Sequence, residues 1–166
     1  MKSETQTPHS VNAVIFSGSG EDLSVLLIER KYPPFAGEWA LPGGFVKENE
    51  KHLDACLREV KKEVGLDVSK WANSKLKLRT TINRDPRGEI CGQNYLFYLE
   101  DRENIKELIP GEGIKNCDWI PLEEVGKLPF DHGAVLCEAM GQFWKCMPTA
   151  NKDLIKVPLP FIFSSK

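Results

Sequence analysis

The sequence lacks a strong net charge, a paired cysteine motif and a long hydrophobic run. Its formal net charge of −2 gives no overall field that would favour nucleic acid or an anionic membrane, so we expect neither as a partner. The longest early apolar run, VLLI, is far too short to span a bilayer. The five cysteines form no C-x-x-C pair, their number is odd and no secretory signal is present, so we expect reduced thiols in a cytoplasmic protein.

Length and composition indicate one domain. Hydrophobic residues make up 41% of the chain and charged residues 28%, which is ordinary for a globular protein. A chain of 166 residues is long enough to bury a sizeable core. We therefore expect a single domain over residues 1–166, with residues 1–8 and 148–166 as terminal tails.

Hydrophobic patterning predicts a sheet flanked by helices. Nearly continuous apolar runs at 10–16 and 23–31 predict a β-hairpin that is covered on both faces. The segment 32–44 is rich in proline, glycine and aromatic residues and predicts a loop with a short strand at EWAL. Further strands are predicted at 75–82, 91–100 and 114–122, and helices at 51–64 and 130–147, the second with Asp131 as its cap. This order indicates an α/β sandwich with a mixed β-sheet.

The first predicted helix has an apolar face with an acidic flank. Four aliphatic side chains fall within one stripe at helical spacing, and we expect them to be buried: Leu53, Leu57, Val60 and Val64. Glu59 and Glu63 are four residues apart, so they stack on one flank of this stripe. Taken alone, such a pair is usually a solvated charged surface.

A third carboxylate and an arginine make this flank more specific. Glu50 lies just before the helix, where the chain leaves a loop containing Gly43 and Gly44. Three carboxylates and freed loop carbonyls are the hard oxygen ligands that Mg²⁺ or Mn²⁺ takes. Arg58 is suited to a bidentate pair with Glu50 that would fix the loop to the helix. The segment therefore predicts a cation site that could neutralise a pyrophosphate and activate water.

The same segment resembles the signature of the Nudix hydrolases, G-x5-E-x7-R-E-U-x-E-E-x-G-U, in which U is aliphatic. The matching positions here are Gly44, Glu50, Arg58, Glu59, Val60, Glu63, Gly65 and Leu66. The segments WALPGGFV, RDPRG, DWIPLEEV and FDH are similar to the ADP-ribose pyrophosphatase branch, and the resemblance covers roughly residues 8–140. It implies a Nudix-type α/β/α sandwich that hydrolyses a small-molecule nucleoside diphosphate derivative, with Mg²⁺ (or Mn²⁺) as cofactor.

The resemblance also implies roles for individual members of this segment, which we call the Nudix box. Gly44, Glu59 and Glu63 are the expected metal ligands, and Glu59 and Glu63 are expected to be catalytic. Glu50 and Arg58 are expected to be structural members of the box.

Polar residues outside the box are further candidates. Glu112 lies in the loop after the strand predicted at 91–100, and the resemblance implies a metal ligand or the base for the attacking water, although an exposed loop glutamate is equally ordinary. Asp118 is a weaker candidate because it lies within a predicted strand. Arg84 or Arg87 is expected to contact phosphate or a terminal ribose, although RDPRGE is also ordinary turn chemistry.

Aromatic and histidine residues complete the candidate set. Phe35 and Tyr32 could stack on a base, as could Trp39, for which a place in the core is the more ordinary role. His132 is expected to bond the start of its own helix. His52, which flanks the glutamates, is expected to be an incidental neighbour of the metal.

Two positions depart from the pattern. Lys62 stands where the Nudix box has glutamate, three residues after Glu59, so we expect its ammonium to pair with Glu59 and compete with a cation. An active enzyme with altered metal occupancy, which we favour, and a domain that binds ligand without efficient turnover both stay open. Asn49 stands where close relatives tend to have glycine and is expected to take the same left-handed turn.

The function expected from these residues is metal-dependent cleavage of the pyrophosphate in an ADP-ribose-like substrate. A nucleotide-sugar or dinucleotide pyrophosphatase would differ only in its pocket, and a non-catalytic ADP-ribose sensor stays open because of Lys62. A transcriptional regulator would need a DNA-binding winged helix, for which the residues after about 147 are too few and insufficiently basic. The apolar tail and the exposed hairpins could support a homodimer.

Overall fold

The structure is a computed structural model that describes residues 7–71, 73–75, 84–100, 102 and 105–146. The strands are β1 (His9–Ser17), β2 (Ser24–Arg30), β3 (Trp39–Ala40), β4 (Gly43–Phe45), β5 (Asn73–Lys75), β6 (Cys91–Leu99) and β7 (Ile114–Pro121). The helices are α1 (His52–Val64) and α2 (His132–Cys146), with short 3-10 helices at Gly20–Asp22 and Leu122–Glu124. The helix expected at 51–64 is thus confirmed.

The strands form one mixed sheet around β1. β1 runs parallel to β6 along its whole length and antiparallel to β2 at its carboxyl end, where Phe16 faces Val25. β2 continues the sheet by pairing antiparallel with β3 and β7, and β5 pairs with β6. The predicted hairpin of the first two strands and the predicted mixed sheet are both confirmed.

Alternate side chains of the central strands enter two separate cores, one on each face of the sheet. Val11, Ala13 and Ile15 of β1 pack on the face that α1 covers. Val14 and Phe16, the neighbours between and after them, pack on the face that α2 covers. Successive strand residues point to opposite faces, so continuous apolar runs are what a sheet covered on both sides requires. The fold is the expected α/β/α sandwich.

β4 is a strand that the sequence analysis placed in a loop. It pairs antiparallel with β1, with Gly43 opposite Asn12 and Gly44 opposite Val11. A Cβ on Gly43 would lie 2.1 Å from the carbonyl oxygen of Val11, so the approach requires glycine. The loop prediction was wrong here because glycine carries no side chain from which a period of two could be read.

Parts of the predicted sheet and the chain ends lie outside the described residues. Of the strand expected at 75–82, the structure describes residue 75, as the last residue of β5. Residues 1–6 and 147–166, which include most of the tails expected at 1–8 and 148–166, likewise lie outside it. Within the described part of the chain, neither helix is long and apolar enough to cross a membrane. Among the described residues, none of the five cysteines forms a disulfide.

Candidate active site

Helix α1 buries a wider arc than its aliphatic stripe suggests. Ala55 and Cys56 are fully buried beside Val60, whereas Leu53 and Leu57 are only partly buried at the edge of the core. Glu59 is 6% exposed, so the solvated surface that a glutamate pair usually indicates is not what the structure shows. A carboxylate withdrawn from water must be compensated by neighbouring charge or hydrogen bonds.

Arg58 joins the loop before α1 to the helix. Its Nε donates to Oε1 of Glu50 at 2.7 Å and its Nη2 to Oε2 at 2.8 Å, which is the bidentate pair anticipated from sequence. Nη2 also donates to the carbonyl of Phe45 at 3.0 Å, and Nη1 to the carboxylate of Glu59. Asn49, one residue before Glu50, has φ 61°, which confirms its left-handed turn. This arginine therefore fixes the loop, the strand β4 and Glu59 in one arrangement.

The Glu50–Arg58 pair should make stability depend on acid pH. Hydrogen bonds from Arg58 lower the pKa of Glu50 from 4.5 to about 2. Because the folded-state pKa is depressed, this stabilisation is present above the unfolded pKa near 4.5 and is lost as pH falls towards 2. We expect Glu50→Gln to lower the free energy of unfolding by about 2 kcal/mol at pH 7, the scale of hydrogen bonds to charged groups.

The measurement is urea unfolding of wild type and Glu50→Gln across pH 7 to pH 2.5. The difference in the free energy of unfolding between wild type and Glu50→Gln should shrink steadily below about pH 4.5. Glu48→Gln is the matched control, since Glu48 is an exposed carboxylate of the same loop. An equal loss of stability in both variants at pH 7 would contradict the role given to the pair.

Glu59 contacts both a glycine backbone and a lysine. A Cβ on Gly44 would lie 2.6 Å from Cδ of Glu59, so the carboxylate packs directly on this glycine. Lys62 Nζ lies 3.5 Å from Glu59 Oε2, and the lysine side chain is 57% exposed. The ammonium therefore occupies the position, beside Glu59, from which it would compete with a cation.

Glu63 is half-buried one turn further along α1. Its Oε2 accepts a hydrogen bond from the backbone N–H of Gly43 at 2.9 Å. Burial, with a further contribution from the nearby Glu59, raises the pKa of Glu63 to about 8 despite that hydrogen bond. A carboxyl group in this setting ionises readily only when positive charge is brought next to it.

The donor set fits a hard divalent cation in its chemistry, with fewer carboxylates than the sequence suggested. Glu59 and Glu63 supply carboxylate oxygens beside the backbone of Gly44, and oxygen ligands suit Mg²⁺ or Mn²⁺. Glu50 is committed to Arg58. Across the described residues, no group of three or more His, Cys, Asp and Glu side chains is placed to hold a metal ion. The box therefore offers two carboxylate ligands, Glu59 and Glu63. The ammonium of Lys62 stands where a third carboxylate would be expected.

The box opens on a cleft of about 550 Å³, including its mouth. Its lining combines apolar, basic and acidic side chains with the backbone of β4: Ser10, Asn12, Ile28, Arg30, Leu41, Gly43, Gly44, Phe45, Glu63, Arg84, Asp85, Arg87, Phe130 and His132. Glu63 is therefore within the same concavity as three arginines. A cleft with converging charged groups is the usual form of a site for a small polyanionic ligand.

The three arginines of the cleft differ in how many of their hydrogen-bond donors are already paired with protein acceptors. Arg84, expected to contact ligand, is 4% exposed and is held by the carbonyl of Ile90, by Ser10 Oγ at 2.8 Å and by Asp131 Oδ1 at 2.9 Å. It is therefore primarily an internal tie between β1 and the start of α2. Asp131, expected to cap α2, instead gives Oδ1 to this tie, while its buried Oδ2 has no hydrogen-bond partner among the described residues.

Arg87 and Arg30 are the more accessible pair. Arg87 is 43% exposed and is oriented by Asp85, whose two oxygens accept from Nε at 2.9 Å and from Nη2 at 2.6 Å. Burial alone would raise the pKa of Asp85, but the hydrogen bonds from Arg87 lower it overall. Arg30 ends β2 with Nε donating to the carbonyl of Pro34 at 2.7 Å. Sequence reasoning missed Arg30, although a charged residue closing an apolar strand before an aromatic loop was an available signal.

Two phenylalanines, Phe45 and Phe130, line the cleft, and a third, Phe35, packs against Phe130. The Arg87 guanidinium lies 4.8 Å from the ring centroid of Phe45 and 5.8 Å from that of Phe130, and Phe35 meets Phe130 edge-on at 4.8 Å. Phe35 and Phe130 both have positive φ, 61° and 56°, which is uncommon for a bulky side chain and typical of functional sites. Phe35 was expected at a ligand site, whereas Phe45 and Phe130 were not singled out.

The remaining candidates lie in different surroundings. Glu112 is exposed in a turn that is fastened to the end of α1 by backbone hydrogen bonds, from Gly111 N to Glu63 O at 2.9 Å and from Ile109 N to Val64 O at 3.0 Å. A Cβ on Gly111 would lie 1.9 Å from the carbonyl oxygen of Lys62. The turn therefore stays next to the box whatever side chain stands at 112.

Other sequence candidates fall outside the cleft lining. Asp118 is exposed on β7 and accepts from its neighbour's backbone N–H. Trp39 packs against the core under α2, its more ordinary role, while Tyr32 is 55% exposed beside Lys31. His52 Nε2 lies 2.8 Å from Nδ1 of His9, so its neighbour is another imidazole.

The expectation that His132 bonds the start of its own helix was wrong. Its Nδ1 accepts a hydrogen bond from the backbone N–H of Leu41 at 3.1 Å, across 91 positions of sequence. Burial, with the positive charges of Arg84 and Arg30, lowers the pKa of His132 to about 3. Local sequence does not indicate this contact, because Leu41 and His132 meet only once α2 is packed on the sheet.

Comparison with known proteins identifies the class that this fold and box define. A family model described as NUDIX domain matches residues 6–138, and the chain belongs to this family. The ADP-ribose pyrophosphatase of Methanocaldococcus jannaschii is 38% identical over 125 residues, which cover 75% of this chain and 69% of that protein. The ADPR responsive transcriptional repressor NtrR of Acinetobacter baylyi is 32% identical over 152 residues. That match covers 85% of this chain and 56% of the repressor, so the chain spans little more than half of its length.

Solved structures agree with this assignment. A MutT/nudix family protein from Enterococcus faecalis superposes with a TM-score of 0.77 at 28% identity, over 92% of this chain and 68% of that one. The NUDIX domain of Shewanella oneidensis NrtR, complexed with ADP ribose, superposes with a TM-score of 0.75 at 27% identity. This second match covers 86% of this chain and 92% of that domain. The expected family and the expected fold are therefore confirmed.

Proposed function

We propose that this protein is a metal-dependent pyrophosphohydrolase of ADP-ribose or a close analogue. The observation that carries the proposal is that Glu63 of the box lines the same cleft as Arg30 and Arg87. A site for diphosphate cleavage needs charge-compensating cations and oriented carboxylates within one concavity. The similarity to the ADP-ribose pyrophosphatase of Methanocaldococcus jannaschii and to a NUDIX domain complexed with ADP ribose supports this choice of substrate.

The residues of the chain have separable roles in this reaction. Glu59 and Glu63, with the backbone of Gly44, would hold the divalent ion, and Arg58 keeps Glu59 oriented. When bound, the ion supplies positive charge that offsets the diphosphate and favours water as a nucleophile. Arg30 and Arg87 attract and orient the phosphates, while the aromatic rings at the cleft mouth provide a surface for a base.

The balanced reaction is simple hydrolysis. Water adds to one phosphorus of ADP-ribose, the bridging P–O bond breaks, and AMP and ribose 5-phosphate leave. A carboxylate near the box takes the proton of the attacking water. Glu112 is our proposal for this base, because its turn is fastened to the end of α1.

The test of this function is product analysis. The protein should be incubated with Mg²⁺ and a panel of ADP-ribose, nucleotide sugars and dinucleotides, and the products separated by chromatography. We expect AMP from ADP-ribose, with kcat/KM at least about tenfold above the other substrates, the scale of one well-placed polar contact. Hydrolysis of a nucleotide sugar in preference to ADP-ribose would move the assignment to that class.

A non-catalytic ADP-ribose sensor is the second candidate. Lys62 beside Glu59 and the similarity to an ADPR responsive repressor favour it. In the same panel, a sensor would bind ADP-ribose and turn over no member. Cytoplasmic localisation, a single domain over 1–166 and a homodimer stay predictions, with size-exclusion chromatography and light scattering as the check for the dimer.

A further inference from the structure

His132 has a fixed tautomer. The residue is the first of α2, is 5% exposed and lines the cleft. The backbone N–H of Leu41 points at Nδ1 from 3.1 Å, and an amide N–H can only donate. Nδ1 must therefore carry a lone pair, so the ring is neutral and its proton sits on Nε2.

The protonated nitrogen of this ring has no acceptor in the part of the chain that the structure describes. Throughout the described ranges, no protein atom accepts a hydrogen bond from His132 Nε2. Asp131 Oδ2 is the one fully buried side-chain polar atom in those ranges that lacks a partner, so Nε2 is not fully buried. Because the ring lines the cleft, that is where Nε2 meets solvent. An N–H donor in a nearly buried ring is costly unless something in the cleft accepts from it.

We propose that His132 is a specificity-determining residue that donates a hydrogen bond from Nε2 to an acceptor oxygen of the bound ligand. This inference rests on the proposed function, which places ADP-ribose in the cleft. The donor is neutral and directional, so it complements the arginines, which recognise charge. Arg84, which is hydrogen-bonded to Ser10 of β1, and Arg30, at the end of β2, both oppose a positive charge on the ring. The ring therefore recognises an acceptor by geometry.

Two amide substitutions separate the two nitrogens of the ring. The amide oxygen of asparagine lies as many bonds from Cβ as Nδ1 does, so His132→Asn keeps an acceptor for the N–H of Leu41. The amide nitrogen of glutamine lies as many bonds from Cβ as Nε2 does, so His132→Gln keeps a donor for the ligand. A structural role predicts that Asn substitutes better than Gln, and a ligand role predicts the reverse.

The experiment is isothermal titration calorimetry with ADP-ribose in EDTA, so that hydrolysis does not interfere, alongside thermal unfolding of each variant. We expect His132→Asn to raise Kd about tenfold and His132→Gln to raise it no more than about threefold, the range of one hydrogen bond. Repeating the titration with ADP shows which part of the ligand supplies the acceptor. A loss that persists with ADP assigns it to the ADP portion, and a loss confined to ADP-ribose assigns it to the second ribose.

The inference is overturned if His132→Asn binds as wild type does or if both variants lose affinity equally. Should His132→Asn fail to fold, His132→Met replaces it, because methionine matches glutamine in shape and lacks the donor. Equal affinity of the Met and Gln variants then overturns the inference. Wild-type protein that neither binds nor hydrolyses ADP-ribose overturns the proposed function itself and this inference with it, an outcome distinct from equal binding by the variants.

Discussion

Replacing Glu63 with glutamine should reduce hydrolysis of ADP-ribose by at least about a hundredfold, the scale at which a main electrostatic contributor registers. Glutamine keeps the shape of the side chain and an oxygen that can accept from Gly43 N, but it cannot carry the negative charge that a cation requires. The thermal unfolding temperature should change little, because burial already disfavours the ionised form of Glu63 in the cation-free protein.

The measurement is kcat/KM for AMP release at saturating Mg²⁺, with thermal unfolding of the same samples. Asp54→Asn is the matched control, since it makes the same carboxylate-to-amide change at an exposed position of α1. Equal activity in wild type and Glu63→Gln would remove Glu63 from the metal site. A large loss of stability in the variant would instead show that Glu63 serves the fold.

Replacing Lys62 with glutamate should lower the Mg²⁺ concentration that gives half-maximal activity by about tenfold. The substitution changes the charge beside Glu59 by two units, at a side chain that now lies 3.5 Å from its carboxylate. At the effective dielectric of a protein surface, a unit charge about 6 Å from the ion interacts by roughly 2–3 kcal/mol before screening. Motion of this exposed side chain and solvent reduce that to about 1 kcal/mol, which is near tenfold in affinity.

Lys61→Glu is the control for this second prediction. It makes the same charge change one residue earlier, at an exposed position of α1 that helix geometry places about 200° around the axis from Glu59. The effect of Lys62→Glu should weaken as salt is added, because it is electrostatic and exposed. If Lys62→Glu needs as much Mg²⁺ as wild type, the ammonium does not compete with the cation.

The contacts within the box could be predicted because they join residues that are close in sequence. Glu50 and Arg58 are eight residues apart on one continuous loop and helix, so helical periodicity and charge complementarity suffice to join them. Lys62 and Glu59 are related in the same way, through i and i+3 on α1. The continuous apolar runs of β1 and β2 likewise indicated a sheet covered on both faces.

The cleft was not predictable in the same way because distant segments build it. The contact between His132 and Leu41 spans 91 positions, and that between Arg84 and Ser10 spans 74. Arg84 was expected to be available to ligand. Only the packing of α2 shows that its guanidinium donates a hydrogen bond to Asp131. A sequence pattern indicates which side chains of one helix or strand are buried. Contacts between distant segments depend on how helices and strands pack together, which such a pattern does not show.

The turn that carries Glu112 is attached through main-chain atoms of Ile109 and Gly111 to main-chain atoms of α1. Most side chains of the turn therefore take no part in holding it in place, and residue 112 can be exchanged without moving the turn. The exception is Gly111, where any Cβ would collide with the Lys62 carbonyl. With Glu112 as the proposed base, substitutions at residue 112 would change the chemistry that the turn brings to the box and leave the turn in place, whereas a substitution at Gly111 would displace the turn itself.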